Sequence, residues 1–241
     1  MKKCLNCGEN LKDAYCHVCG QKSTTARYTF NTFINDTWNS FINFDSNLWR
    51  TFGALMSQPG RFIRNYLLGK RAAFTSPVKY FFTILALNFM LIILLGKPAI
   101  SPVEIEGASQ LVNHSINLLI SMVFILLMVP FATGLKLSQK NSYFSVLEYY
   151  LFLLYISSHT ILIFIVLQLF LRGFSMVLRG PTEGLVWLGL FSVWYVWAYF
   201  PFSGHSRLKS ILSILISYLF TAIVITGLGT IFKLIYLGVA K

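Results

Sequence analysis

The sequence predicts an all-α integral membrane protein with about five transmembrane helices, preceded by amphipathic interfacial helices and a minimal Cys4 zinc ribbon. Three observations carry this prediction. The chain is 56% hydrophobic with a mean hydropathy of +0.65, above the roughly 45–50% apolar usage of soluble domains. Charged residues are only 12% of the total, yet Lys and Arg outnumber Asp and Glu by 20 to 8, so the positive excess must lie in the short segments outside the bilayer. All four cysteines fall within the first 19 residues, so their role is local.

The head comes first in the chain. Cys4-Leu5-Asn6-Cys7-Gly8 and Cys16-His17-Val18-Cys19-Gly20 are two CxxCG units separated by eight residues, Gly8 to Tyr15. Two such turns placed face to face supply four thiolates in a tetrahedron, the closed coordination of structural Zn2+. Each following glycine serves a turn that needs a positive φ. The competing readings are two disulfides, disfavoured in a cytosolic head, and a redox CxxC, disfavoured without a surrounding βαβ unit. Cys4, Cys7, Cys16 and Cys19 leave no ligand position for water or substrate, which points to a structural metal. His17 falls inside the second loop and reads as exposed. Met1-Lys2-Lys3 runs directly into cysteines and polar residues, so no signal peptide is expected.

Residues 1–22 thus form the head, and 23–76 a tether followed by surface helices. Gln21 to Ala26 are small and polar. Apolar residues then recur at helical spacing, Ile34, Trp38, Phe41 and Ile42, then Leu48, Phe52, Leu55 and Met56. Asp45 or Ser46 can cap the second stretch, and Pro59-Gly60 ends it. A third helix, Arg61 to Leu68, closes at Gly69 and carries Phe62, Ile63, Tyr66 and Leu67. None is long or apolar enough to span, since spanning takes about 20 mostly apolar residues. Interfacial helices are one reading, with Arg61, Arg64, Lys70, Arg71 and Lys79 on anionic phosphates at about 1 kcal/mol each. Packing of the apolar faces on the protein's own helices is the other.

The membrane domain, 77–241, begins at Ser76-Pro77, an N-cap followed by proline at the first helical position. Spans are expected at about 78–95, 118–135, 149–171, 185–202 and 211–235. Pro130 and Pro201 are tolerable near membrane helix ends. Between Arg61 and Lys79 there are five basic residues and no acidic one, which places that segment in the cytoplasm. The loop from Gly96 to Asn117 has Glu104 and Glu106 against Lys97 and belongs outside. Lys136, Lys140, Arg207 and Lys209 return their loops to the cytoplasm, against Arg172 and Arg179 on the outer side. The expected topology is N-terminus inside, C-terminus outside.

An ionisable group inside a span is a functional candidate. His159, with Ser157, Ser158 and Thr160 beside it and Gln168 beyond, could form a polar seam for a proton or small solute; hydrogen bonding between helices explains the same residues. Glu148, at the entrance of that span, is placed where it can be solvated, and Arg172 where it can snorkel at the far end. Trp187, Phe191, Trp194 and Trp197 form an aromatic stripe, and Gly227 and Gly229 permit close helix approach. His17, His114, His159 and His205 are spread over separate layers. No HExxH, GxSxG, Gly-rich phosphate loop or pair of intramembrane aspartates occurs, so an enzyme is disfavoured. Nucleic acid is disfavoured too, because the basic residues are scattered between apolar spans rather than gathered on one domain.

Cys4-x2-Cys7-Gly8, Tyr15-Cys16-x2-Cys19-Gly20-Gln21, Arg50-Thr51, Leu55, Gln58-Pro59-Gly60, Tyr66-Leu67-Leu68-Gly69-Lys70-Arg71 and Ser76-Pro77-x2-Tyr80 together resemble a family of bacterial multipass membrane proteins of unknown function, common in the Bacteroidetes lineage. A looser likeness, of topology only, is to Yip-type membrane proteins. The resemblance implies a zinc-ribbon head on a helical membrane domain and supplies no activity.

The function expected from these features is a non-enzymatic membrane adaptor. Its head binds a cytosolic protein partner, its basic collar sits on anionic lipid, and homo-oligomers are possible. The alternatives are a channel or small transporter built around His159, Ser158 and Gln168, and a lipid-handling enzyme or scramblase-like factor.

Overall fold

The computed structural model describes residues 2–25, 28–34, 47–95, 125–139, 142–174, 176 and 181–239. Beyond the head, the described chain is helical. Residues 30–34 form a helical turn, and seven longer helices follow: α1 (Leu48–Ser57), α2 (Pro59–Leu67), α3 (Pro77–Leu95), α4 (Ile125–Ser138), α5 (Val146–Gly173), α6 (Pro181–Ser203) and α7 (Arg207–Val239). The expected surface-helix residues Trp38, Phe41 and Ile42, the caps Asp45 and Ser46, the start of the second span at 118–124, His114, Lys140, Arg179 and the 96–117 loop lie outside the described residues.

α5 is the axis of the bundle. Its 28 residues make a rod of about 42 Å, longer than the roughly 30 Å hydrocarbon thickness of a bilayer. Of its most apolar stretch 67% is buried inside the protein, against 28% for α6 and 17% for α7, so α7 presents most of its apolar surface outward. Three described helices, Val146–Gly173, Thr182–Ser203 and Arg207–Thr230, are long and apolar enough to cross a membrane. α5 starts with a capping box: Ser145 Oγ accepts the Glu148 amide, while Glu148 Oε2 accepts the Ser145 amide at 2.7 Å and its hydroxyl at 2.9 Å. Glu148 is therefore not the solvated residue its position suggested. It is fully buried, its side chain held by these donors at the helix N-terminus.

α3 packs chiefly against α5, and α2 against α6. α3 opens at Pro77, with the Lys79 amide on Ser76 Oγ at 3.3 Å. Pro59 does not simply end a helix. α1 stops at Ser57, and Pro59 is the first residue of α2, a position where its missing N–H costs nothing. The apolar face of α2 packs on the protein's own helices. Phe62, Ile63, Tyr66 and Leu67 are buried in the protein core, where the Phe62 ring meets Phe74 at 4.8 Å and Tyr155 at 5.4 Å. Gly60 is the point of closest approach: a Cβ there would run into the Ala198 carbonyl oxygen and stand 2.6 Å from Pro201 Cγ and 2.9 Å from the Phe202 nitrogen. On α1 the packing is one-sided, since Leu55 is buried while Trp49 is exposed.

One end of the bundle gathers the start of α3, the end of α4, the start of α5, the end of α6 and the start of α7. Buried hydrogen bonds tie it together. The Thr75 amide donates to Thr51 Oγ1 at 2.9 Å, and Tyr155 donates its hydroxyl to the Thr75 carbonyl. Gln139, a residue the hydrophobic pattern does not single out, donates to Tyr199 and Ser213 hydroxyls at 3.1 and 3.0 Å and accepts from Tyr149 at 3.1 Å. One side chain from the end of α4 thereby links α5, α6 and α7.

Candidate metal centre and its seat on the helices

The head is a twofold repeat with an offset of twelve residues. Cys4 N donates to Glu9 O and Cys16 N to Gln21 O, each at 2.8 Å; Gly8 N bonds Cys4 O and Gly20 N bonds Cys16 O. Bridges Lys3–Asn10 and Tyr15–Lys22 close the two loops. Gly8 and Gly20 have φ of 82° and 72°, the left-handed turn that glycine adopts without a Cβ penalty. The two knuckles face one another and bring all four sulfurs within 4.8 Å.

Cys4 Sγ stands 3.6 Å from Cys19 Sγ, and Cys7 Sγ 3.5 Å from Cys16 Sγ. A disulfide requires about 2.05 Å. Sulfurs on a tetrahedron with metal–sulfur bonds of about 2.3 Å stand about 3.8 Å apart, close to the spacing found. Backbone amides of Cys7 and Asn6 bring the Cys4 thiol down to about 7. Those of Cys19 and Val18 lower Cys16. For Cys7 the Glu9 amide acts in the same direction but is outweighed by burial and the surrounding sulfurs, which push it up to about 12. Four clustered thiolates repel one another, and a bound dication removes that repulsion. The donor set therefore fits a metal ion held by Cys4, Cys7, Cys16 and Cys19.

The head does not hang on a free tether. Gln21 is buried, and its Oε1 accepts the amides of Arg71 at 3.1 Å and Ala72 at 3.2 Å. Leu5 lies against Gly69, where a Cβ would come within 2.7 Å of Leu5 Cδ1 and where φ is 111°. Tyr15, 59% exposed, Val18, 62% exposed, and His17 are open on the surface of the head.

The five basic residues of the collar divide. Arg64 donates to the Phe202 carbonyl at 2.8 Å and stands 5.6 Å over the Phe144 ring, closing the C-terminal end of α6. Arg71 donates through Nε to the Tyr66 carbonyl at 3.1 Å and stands 4.4 Å over the Tyr28 ring. Arg61 and Lys70 are exposed, and Lys79 is half-buried. Charge alone could not separate these two half-buried arginines from Arg61 and Lys70, because their acceptors are carbonyls at helix ends brought in by tertiary packing.

His159 is buried among rings. Its Nδ1 is 3.0 Å from the Tyr80 hydroxyl, and Phe52 and Trp194 lie at centroid distances of 5.4 and 5.3 Å. The neighbouring hydroxyls turn back on their own helix: Ser157 to Leu153 O at 2.8 Å, Ser158 to Leu154 O, and Thr160 to Ile156 O at 2.9 Å. Gln168 is buried nine residues further along α5, with its Oε1 lacking a hydrogen-bond partner among the described residues. His159, Ser158 and Gln168 thus share one largely buried helix, and among the described residues only His159 of the three reaches a polar side chain of another helix.

Fold and site together define a helical protein with helices long enough to span a membrane and a four-cysteine cluster able to hold a metal ion. Residues 45–89 match the family model described as Protein of unknown function (DUF3667), a segment that covers α1, α2, the turn after them and most of α3. No curated protein and no solved structure matches the chain.

Proposed function

We propose that this protein is a non-enzymatic adaptor of the bacterial inner membrane. Its helical domain crosses the bilayer five times, with the head and the basic end of the bundle in the cytoplasm and the C-terminus outside. Zn2+ occupies the four thiolates as a structural ion, Arg61 and Lys70 meet anionic headgroups, and a protein partner binds the head. The observation that carries this reading is the seated knuckle: four cysteines exhaust a tetrahedral ion's ligand positions, while Tyr15, His17 and Val18 are exposed. The positive-inside bias of Arg61, Arg64, Lys70, Arg71, Lys136, Arg207 and Lys209, all at the head's end of the bundle, supports the orientation.

A photo-crosslinker at position 18 in native membranes tests it. A discrete protein adduct that disappears in the Cys4→Ser, Cys16→Ser double variant is expected, with zinc found by elemental analysis of the purified protein. Adducts confined to lipid, or a protein adduct indifferent to the cysteine substitutions, would refute the adaptor.

A further inference from the structure

We propose that the head is a metal-locked clasp on the turn between α2 and α3, so that losing the metal frees Gly69–Ala72; this rests on the metal-site reading above. The turn leaves the Arg71 and Ala72 amides outside any helix, and buried backbone donors require an acceptor. Gln21 Oε1 takes both. Nothing in the knuckle itself requires a glutamine there, because the equivalent residue of the first knuckle, Glu9, is exposed and only accepts the neighbouring Asn10 amide at 3.1 Å. Gln21 is distinguished from Glu9 by what it reaches across to.

Both gripping residues inherit their positions from the metal site. Leu5 follows Cys4 directly. Gln21 stands two residues after Cys19, and its own carbonyl accepts the Cys16 amide at 2.8 Å. Of residues 2–25, only Cys4, Cys16 and Gln21 are buried. The head therefore has no hydrophobic core to hold this geometry once the ion is gone, and small domains of this kind owe their fold to metal binding. Metal removal should dissolve both knuckles and withdraw the Gln21 acceptor and the Leu5 contact together.

The turn in question carries Lys70 and Arg71 and runs directly into Thr75, whose backbone is held by Thr51 and Tyr155 at the entrance of α3. Release loosens the backbone of the short basic segment that carries Lys70, already exposed, and Arg71, without disturbing α5, which has no part in the clasp. The head thereby joins the state of four thiols to the order of that segment.

Hydrogen exchange on the full chain in nanodiscs, with metal content measured on the same sample, tests the proposal. Chelation under reducing conditions should raise exchange at Arg71 and Ala72 by about tenfold or more, with the interior of α5 unchanged. Gln21→Ala should give the same rise with the metal retained, and Leu5→Ala a smaller one at Gly69 and Lys70. A sample that loses its metal without any change at Arg71 and Ala72 overturns the lock alone. One purified without metal overturns the metal reading and the lock with it.

Discussion

Gly60→Ala adds a single methyl group at the α2–α6 contact. In an exposed helix the exchange would stabilise by about 0.5–1 kcal/mol, because alanine loses less backbone entropy. At position 60 the methyl meets backbone as well as side chain: the Ala198 carbonyl, Pro201 Cγ at 2.6 Å and the Phe202 nitrogen at 2.9 Å. Carbon–oxygen and carbon–carbon contacts are comfortable only at about 3.5–4.0 Å, so α2 must back away from α6 by an ångström or more. That movement strains Arg64 on the Phe202 carbonyl and loosens Phe62 and Ile63 in the core. Overpacking of this kind costs about 1–3 kcal/mol, which exceeds the helix-propensity gain. Gly53, on α1, has no atom of the described residues within 4 Å of its would-be Cβ, so Gly53→Ala isolates the propensity gain. Thermal unfolding in detergent, followed by intrinsic fluorescence, should move in opposite directions for the two variants. If Gly60→Ala is as stable as Gly53→Ala, the close approach of α2 to α6 is refuted.

Tyr155→Phe removes the hydroxyl that satisfies the Thr75 carbonyl and leaves a buried acceptor unpaired, which should cost about 1–3 kcal/mol in the same melt. Arg64→Met should lower the melting temperature by removing the donor to Phe202, whereas Arg61→Gln should leave it unchanged and weaken retention of anionic lipid, read by native mass spectrometry; equal melts for both would refute the internal role of Arg64. His159→Leu and Tyr80→Phe each strand one buried partner, so the double variant should cost less than the sum of the singles, with a coupling of about 0.5–3 kcal/mol. Additive effects would show that the 3.0 Å contact contributes nothing to stability.

The metal centre is the most legible part of the chain, because its four ligands and two turn glycines lie in 17 consecutive residues, Cys4 to Gly20, and its geometry is a matter of local spacing. The helical stretches are legible for a similar reason: a long apolar run announces itself, and Ser76-Pro77 marks where α3 begins. Side-chain roles were harder to read. Gln21 looked like part of a tether and is an acceptor for amides fifty residues away. Arg64 and Arg71 looked like headgroup ligands and bond to carbonyls at the ends of α6 and α2. Gly60 looked like the end of one helix and is a contact surface of the next. Glu148 looked solvated, although Ser145 three residues earlier was there to complete its capping box, a signal the local sequence did contain.

Composition and spacing by themselves determined that this is a helical protein with membrane-length apolar segments and a four-cysteine head, because hydropathy and ligand spacing act over a few turns of chain. Only the tertiary structure decided where the head rests, which arginines bond to backbone carbonyls and which face of α2 is buried. Those outcomes depend on donors, acceptors and surfaces far apart in sequence, and a backbone carbonyl or amide carries no mark in the residue order of what will come to meet it.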